Sequence, residues 1–407
     1  MKSGTPNFVG ARLKEAREAR GINATSLAEI LGITRSAVSL YENGNASPQP
    51  EMMEKIAEKL NLPISFFLKP TQEIQMDNPI FYRSMSSATK MARIRAERWF
   101  YWLHYKVVPY VREYVTLPKV TIPQVRVPDF HTLSGEDIEI IANNIRHQWG
   151  LGDSPVSNMT LLLENNGVII SRIELCADTL DAFSVWCPDD GTPYIILNSD
   201  KHSAARSRLD IAHEFAHLVL HSKLNRKQIN NSNDFKLIEE QAFRFASAFL
   251  VPGATFSRDL YSPSLDAIRT LKAKWLVSIG MMIKRASDLN LISEEQTQRM
   301  WINYNRRGWR REEPMDRTMQ IETPRLIKKA LQLINSEKVQ MPEQILTTIG
   351  LSPNDIEMIA NLNPGYFNEP VESINLKDDY LFNAPDKSLI HDEVDAILNN
   401  YNKIHGQ

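Results

Sequence analysis

From Phe8 to Lys69 apolar side chains recur at three- and four-residue spacing in short runs, each opened or closed by a turn signal. Val9, Leu13 and Ala16 mark a first helix to Arg20, and Gly21 ends it. A second runs from Thr25 to Leu31 and stops at Gly32; Thr34 caps a third through Tyr41, closed by Gly44. Pro50 opens a fourth, striped by Met53, Ile56, Ala57 and Leu60, and Pro63 opens a short fifth, ISFFL. The pattern predicts a five-helix bundle over residues 8–69.

Residues 70–130 read differently. A helix is expected at about 87–115, followed by an extended stretch broken by prolines 109, 118, 123 and 128. Residues 131–311 mix both periodicities. Ser134 caps a helix to Trp149, and another ends at Asn165. VIISRIE, DAFSVWC and PYIILN then read as three short strands, with PDDGTP as the hairpin turn between the last two. Helices follow at about 202–222, 235–250, 264–288 and 293–303. Residues 312–407 hold a helix begun by Thr323-Pro324, two more in MPEQILTTIGLSPNDIEMIANL, and a polar, loosely ordered tail. The fold class is α+β and mostly helical, with one small sheet.

Charge sharpens this division. The net charge of −2 excludes polyanion binding by bulk electrostatics, so any such role needs segregated charge. Between Arg83 and Arg126 nine Lys/Arg face two acids, with Trp99, Phe100, Tyr101, Trp102, Tyr105, Tyr110 and Tyr114 interleaved. This stretch can supply phosphate contacts, or it can be an amphipathic helix whose aromatics pack on a neighbouring domain. From Glu312 on, sixteen acids against eight bases give −8. Two cysteines, Cys176 and Cys187, cannot build a disulfide framework and are read as buried small hydrophobes. No signal-peptide h-region or membrane-spanning run is visible, which points to the cytoplasm and away from membranes.

In TSLAEILGITRSAVSLYENG, Ala28 is small where two helices would cross, and Gly32 permits the tight turn. Ile33 and Val38 point inward, leaving Thr34, Arg35, Ser36 and Ser39 on the outer face. Short polar side chains and one Arg at a helix start suit major-groove edges and phosphates. Residues 8–69 resemble the XRE-type, phage-repressor-like DNA-binding domains, through LKEAREARG, SLAEILGITRSAVSLYENG, the Ser47-Pro48 turn and KLNLPISFF. The resemblance implies double-stranded operator DNA as partner and a homodimer on paired half-sites.

The sharpest chemical signal is His213-Glu214-Phe215-Ala216-His217. Imidazoles at i and i+4 share a helical face and can hold one Zn2+, while Glu214 lies beside that face, placed to act as general base. A third ligand is needed. In LIEEQAFRFASAFLVP, Glu239 is in phase with Ala242 and Ala246 and is preferred over Glu240, which is turned about 100° away. His221 is a rival, read as a helix-end histidine bonded to a backbone carbonyl. PYIILN is the candidate edge strand for pairing with a substrate backbone. Tyr194, His202 and Arg206 are candidates for oxyanion stabilisation. Arg206 and Arg208 also read as structural partners of Asp210, Glu239 or Glu240.

DAFSVW, YIILN, RSRLDIAHEFAHLVLH and EEQAFRFASAFLVP together resemble the ImmA/IrrE-type zinc metallopeptidases, a gluzincin-like group. The resemblance implies His213, His217 and Glu239 as zinc ligands and Glu214 as base. It extends more loosely over 80–130 and 305–365. Phe243 departs from it, standing where the family commonly carries a polar Asn or Asp that orients a ligand histidine. The expected function is a transcription regulator with a zinc endopeptidase domain that cleaves a repressor-like protein or itself. The alternative is a non-enzymatic regulator whose zincin-like body senses a ligand or dimerises.

Overall fold

A computed structural model describes residues 4–71, 81–82, 89–123, 125, 129–176, 180–199, 203–224, 228 and 231–368, with backbone alone for 81–82. His202 and the acidic tail beyond residue 368 lie outside the described residues.

The N-terminal helices are α1 (Gly10–Ala19), α2 (Ala24–Leu31), α3 (Arg35–Glu42), α4 (Pro50–Leu60) and α5 (Ile64–Leu68). Thr34 caps α3 through its hydroxyl, which accepts from Ala37 N at 3.1 Å. Gly32 closes α2 at φ 69°, a left-handed conformation that side chains resist. Gly10 meets a different demand: a Cβ there would collide with the Tyr41 carbonyl, so the glycine lets α1 approach the end of α3.

The predicted 87–115 helix is α6 (Lys90–Trp102), a π-helical turn (Leu103–Val107) and α7 (Val108–Tyr114), with Pro109 tolerated near the start of α7. Its aromatics pack inward, with Trp99, Phe100, Trp102 and Tyr110 all buried. Some of its basic residues are engaged too. Arg98 pairs with Glu18 at 2.8 Å, and Arg112 pairs with Asp190. Trp99 Nε1 donates to Ala19 O and Trp102 Nε1 to Glu15 Oε1. The segment is therefore a packing layer beneath the N-terminal bundle.

Next come α8 (Gly135–Gln148), with a Ser134/Asp137 capping box, α9 (Met159–Asn165), and the strands β2 (Ile169–Ile173), β3 (Ala182–Trp186) and β4 (Pro193–Asn198). With β1 (Phe81–Tyr82) they form a sheet of order β1-β3-β4-β2. The hairpin β3–β4 is antiparallel and β2–β4 parallel. PYIILN is thus an interior strand, paired on both sides, and is not the edge expected from sequence. The outer edge of β2 is closed by Asn361, whose side chain accepts from Arg172 N and donates to Arg172 O. β1 pairs with β3 at Ser184 and Phe183.

Beyond the sheet lie α10 (Ala204–Leu220), α11 (Ser232–Leu250), α12 (Gly253–Asp259), α13 (Leu265–Trp275), α14 (Ile279–Asp288) and α15 (Glu294–Arg306). The single helix expected over 264–288 is two, because Leu276 turns left-handed at φ 55° and Ser278 caps a fresh start. The chain continues through α16 (Leu326–Ser336), α17 (Pro342–Ile349) and α18 (Pro353–Ala360).

The pleat of the sheet separates two cores. Ala182, Ile195 and Leu197 face α10 and α11; Phe183, Val185, Tyr194 and Ile196 face α6–α7, the N-terminal bundle and α16–α18. Arg20 spans that second core's surface to meet Asp355 at 2.7 Å.

Candidate metal centre

α10 and α11 pack against one another, which brings together side chains that are distant in sequence. On α10, His213 and His217 sit one turn apart and are buried. Glu239, from the second turn of α11, meets both. His213 Nε2 lies 3.1 Å from His217 Nε2 and 3.2 Å from Glu239 Oε2; His217 Nε2 lies 3.3 Å from Glu239 Oε1. A tetrahedral ion with bonds of about 2.0 Å has edges of about 3.3 Å, so these three separations match one face of such a sphere. Glu240 is exposed and, among the described residues, pairs with Lys236 at 3.8 Å. Burial alone would raise the Glu239 carboxyl, but hydrogen bonds with both imidazoles outweigh it and hold it well below the usual carboxylate range.

The next shell fixes which nitrogen of His217 is available. Gln241 Nε2 donates to the Phe130 carbonyl at 2.6 Å, which turns Gln241 Oε1 toward His221 Nε2 at 3.1 Å. His221 is buried, and burial pushes its imidazole down to about 3, so it is neutral with its single proton on Nε2. Its Nδ1 then accepts from His217 Nδ1, 3.0 Å away. That leaves the lone pair of His217 Nε2 aimed at His213 and Glu239, the state a metal ligand requires. The expected backbone carbonyl is replaced among its side-chain contacts by Gln241 Oε1 and His217 Nδ1, so His221 orients His217. Phe243 is partly buried and packs on the apolar core. The polar support that its position lacks is provided two residues earlier, by Gln241.

Glu214 is fully buried, and its Oε2 accepts from Ser184 Oγ at 2.7 Å. Ser184 was not legible as a site residue: it is one polar residue in an apolar strand, and only the pleat shows that it faces α10. The oxyanion candidates are placed elsewhere. Tyr194 lies on the far face of the sheet, bonded to His104 Nδ1 at 2.8 Å. Arg206 is exposed and donates to the Arg310 carbonyl. Arg208 is buried against Glu322 and the Val156 and Ser157 carbonyls, so neither arginine pairs with Asp210, Glu239 or Glu240.

In the N-terminal bundle, Thr34, Arg35, Ser36 and Ser39 are all exposed along one face of α3, while Val38 is buried beneath them. The helix start thus presents an open row of short polar groups and one guanidinium.

Two family models match this chain. Residues 163–287, which contain every residue of the His213/His217/Glu239 cluster, match the Peptidase M78 family, described as the IrrE N-terminal-like domain. Residues 13–67 match a helix-turn-helix family. Among curated proteins, the chain is similar to the HTH-type transcriptional regulator SutR of Escherichia coli, 35% identical over 16% of this chain and 36% of the relative. It is 37% identical to the SPbeta prophage-derived HTH-type regulator YonR of Bacillus subtilis, over 15% of this chain and 57% of the relative. It is 31% identical to the antitoxin PezA of Streptococcus pneumoniae, over 18% of this chain and 44% of the relative. The chain spans well under two thirds of each of these relatives. It therefore joins an XRE-type helix-turn-helix region, of the kind carried by transcription regulators, to an M78 peptidase-like domain. That family is typically metal-dependent, and the described residues contain clusters able to hold a metal ion. No helix among the described residues is long and apolar enough to cross a membrane.

Proposed function

We propose that the chain is a cytoplasmic, DNA-binding transcription regulator whose central domain is a zinc endopeptidase acting on a repressor-like protein or on the chain itself. The observation that carries the catalytic half is the convergence of His213, His217 and Glu239 within ion-binding distance, with Glu214 on the adjoining position of the same helix. A zinc ion held there would supply a Lewis acid for a peptide carbonyl. The chain's own residues do the rest. Gln241 and His221 hold His217 in the ligating tautomer. Ser184 holds Glu214 in place, and Glu214 takes a proton from the attacking water and returns it to the leaving amine.

An extended substrate adding to β3 beside Ser184 takes the position that the backbone of residues 81–82 holds. This favours regulated cleavage over general degradation, because the chain's own segment must leave before another enters. Thr34, Arg35, Ser36 and Ser39 read operator DNA, and two copies bind a near-palindrome with half-sites about one helical turn apart.

The test is a reporter on the natural promoter, with blots for fragments of this chain and of repressors encoded by neighbouring genes, wild type against Glu214→Gln. The variant keeps its fold and DNA binding and loses cleavage by roughly 10²–10⁴-fold. Normal induction with no fragment in either strain would instead support the non-enzymatic reading, a ligand-sensing or dimerising body.

A further inference from the structure

The opposite face of the sheet carries a second cluster of ligating side chains. His104 Nε2 lies 3.0 Å from Cys187 Sγ, and both residues are buried. Asp189, exposed at the tip of the β3–β4 hairpin, completes a set whose ligand atoms all lie within 4.8 Å of one another. We propose that His104, Cys187 and Asp189 form a second transition-metal site, which takes one Zn2+-like divalent cation and leaves a fourth position open to solvent.

The local structure is arranged to bring these three groups together. His104 sits in the π-helical turn, where one extra residue per turn re-aims a side chain; such turns often accompany functional sites. Cys187 is held at the hairpin base, its N–H donating to the Thr192 carbonyl and its carbonyl accepting from Gly191 N. Tyr105, the neighbour of His104, donates its hydroxyl to Asp189 Oδ2 at 3.0 Å and so tethers the exposed ligand to the same turn. A ligating imidazole usually donates its other N–H to an outer partner. Here the Tyr194 hydroxyl lies 2.8 Å from His104 Nδ1 and can fill that role, because a phenol oxygen both donates and accepts.

The donor chemistry fits as well. One imidazole, one thiolate and one carboxylate suit zinc and its neighbours better than magnesium or calcium. With thiolate and carboxylate each carrying one negative charge, a divalent ion leaves the set of ligands neutral. Zinc bonds of about 2.3 Å to sulfur and 2.0 Å to nitrogen place the two atoms about 3.5 Å apart. That pair reaches this by opening about half an ångström, within the range of side-chain rotation.

The position gives the site a consequence. It would clamp the π turn onto the hairpin, and α6, immediately before that turn, holds the helix-turn-helix bundle through Trp99, Trp102 and Arg98. An ion there stiffens the layer between the sheet and the DNA-binding head. This inference does not depend on the peptidase reading.

The test is titration of the metal-free full chain with Co2+. The His213/His217/Glu239 site offers only nitrogen and oxygen, so a thiolate-to-cobalt charge-transfer band in the near ultraviolet reports the second site alone. The band is expected in wild type, in Cys176→Ser and in His213→Ala, and is lost in Cys187→Ser. Asp189→Asn, a change at an exposed tip, should weaken the affinity behind the band at least tenfold. Absence of the band in folded wild type, or its loss with Cys176→Ser and not Cys187→Ser, would overturn the site. If Cys187→Ser fails to fold, His104→Gln and Asp189→Asn decide: unchanged cobalt affinity in both contradicts the proposal.

Discussion

The two faces of one small sheet carry two histidine clusters built in opposite ways. Toward α10, His213 and His217 come from a single helix at i and i+4, and one carboxylate from the next helix closes the set. Toward α6–α7, His104 and Cys187 come from elements 83 residues apart, joined by a π turn and a hairpin tip. In the first, helical periodicity dictates proximity. In the second, only the fold does. The first kind can be read from a sequence; the second cannot, even though its buried side chains lie just as close.

The comparison can be broken most sharply at Glu239. Glu239→Ala should lower zinc affinity by more than the roughly 100-fold cost of losing an outer-shell partner. Glu240→Ala, on the exposed side of α11, should leave it unchanged. Competition with a zinc chelator measures both, and equal affinities would mean that α11 supplies no ligand.

A smaller effect tests the shell behind His217. Gln241→Leu removes the acceptor that fixes His221 and should cost roughly 10–100-fold in zinc affinity. The cobalt–thiolate band on the other face should not change, because none of its groups touches Gln241. Loss of both signals would mean that the two faces are one cooperative unit.

The smallest effect lies furthest from either cluster. Arg35→Ala should weaken specific DNA binding by about 1–3 kcal/mol if its guanidinium reads a base edge, with zinc content unaffected. A footprinting titration on the upstream region of its own gene measures this, and an unchanged footprint would remove Arg35 from the interface.

Much of the fold was legible where local chemistry decides it. Thr34, Ser134, Pro50 and Pro63 fix helix starts by capping or by a preset φ, and α1–α5 follow within one or two residues. Glu239 could be preferred over Glu240 because its phase matched Ala242 and Ala246. The failures share a cause. PYIILN was expected at an edge because it is the strand that precedes the HExxH helix, whereas its parallel partner β2, 25 residues earlier in register, leaves no periodic trace. Ser184, Gln241 and Glu322 act through partners on other elements, so no spacing rule finds them. Phe243 illustrates the same limit: the sequence shows the polar residue missing at that position, while the neighbours of His217, His221 and Gln241, emerge only from the packing of α10 on α11. The aromatic run at 99–114 was ambiguous between a DNA-facing and a buried helix, since interleaved Arg and Trp suit both until the packing partner is known.

The most direct test is zinc stoichiometry at saturation, measured by elemental analysis after dialysis, for wild type, His213→Ala and Cys187→Ser. Two sites on opposite faces predict two zinc ions per wild-type chain and one in each variant. A wild type and His213→Ala that hold the same amount of zinc would contradict the account, because the helix α10 cluster would then bind no metal.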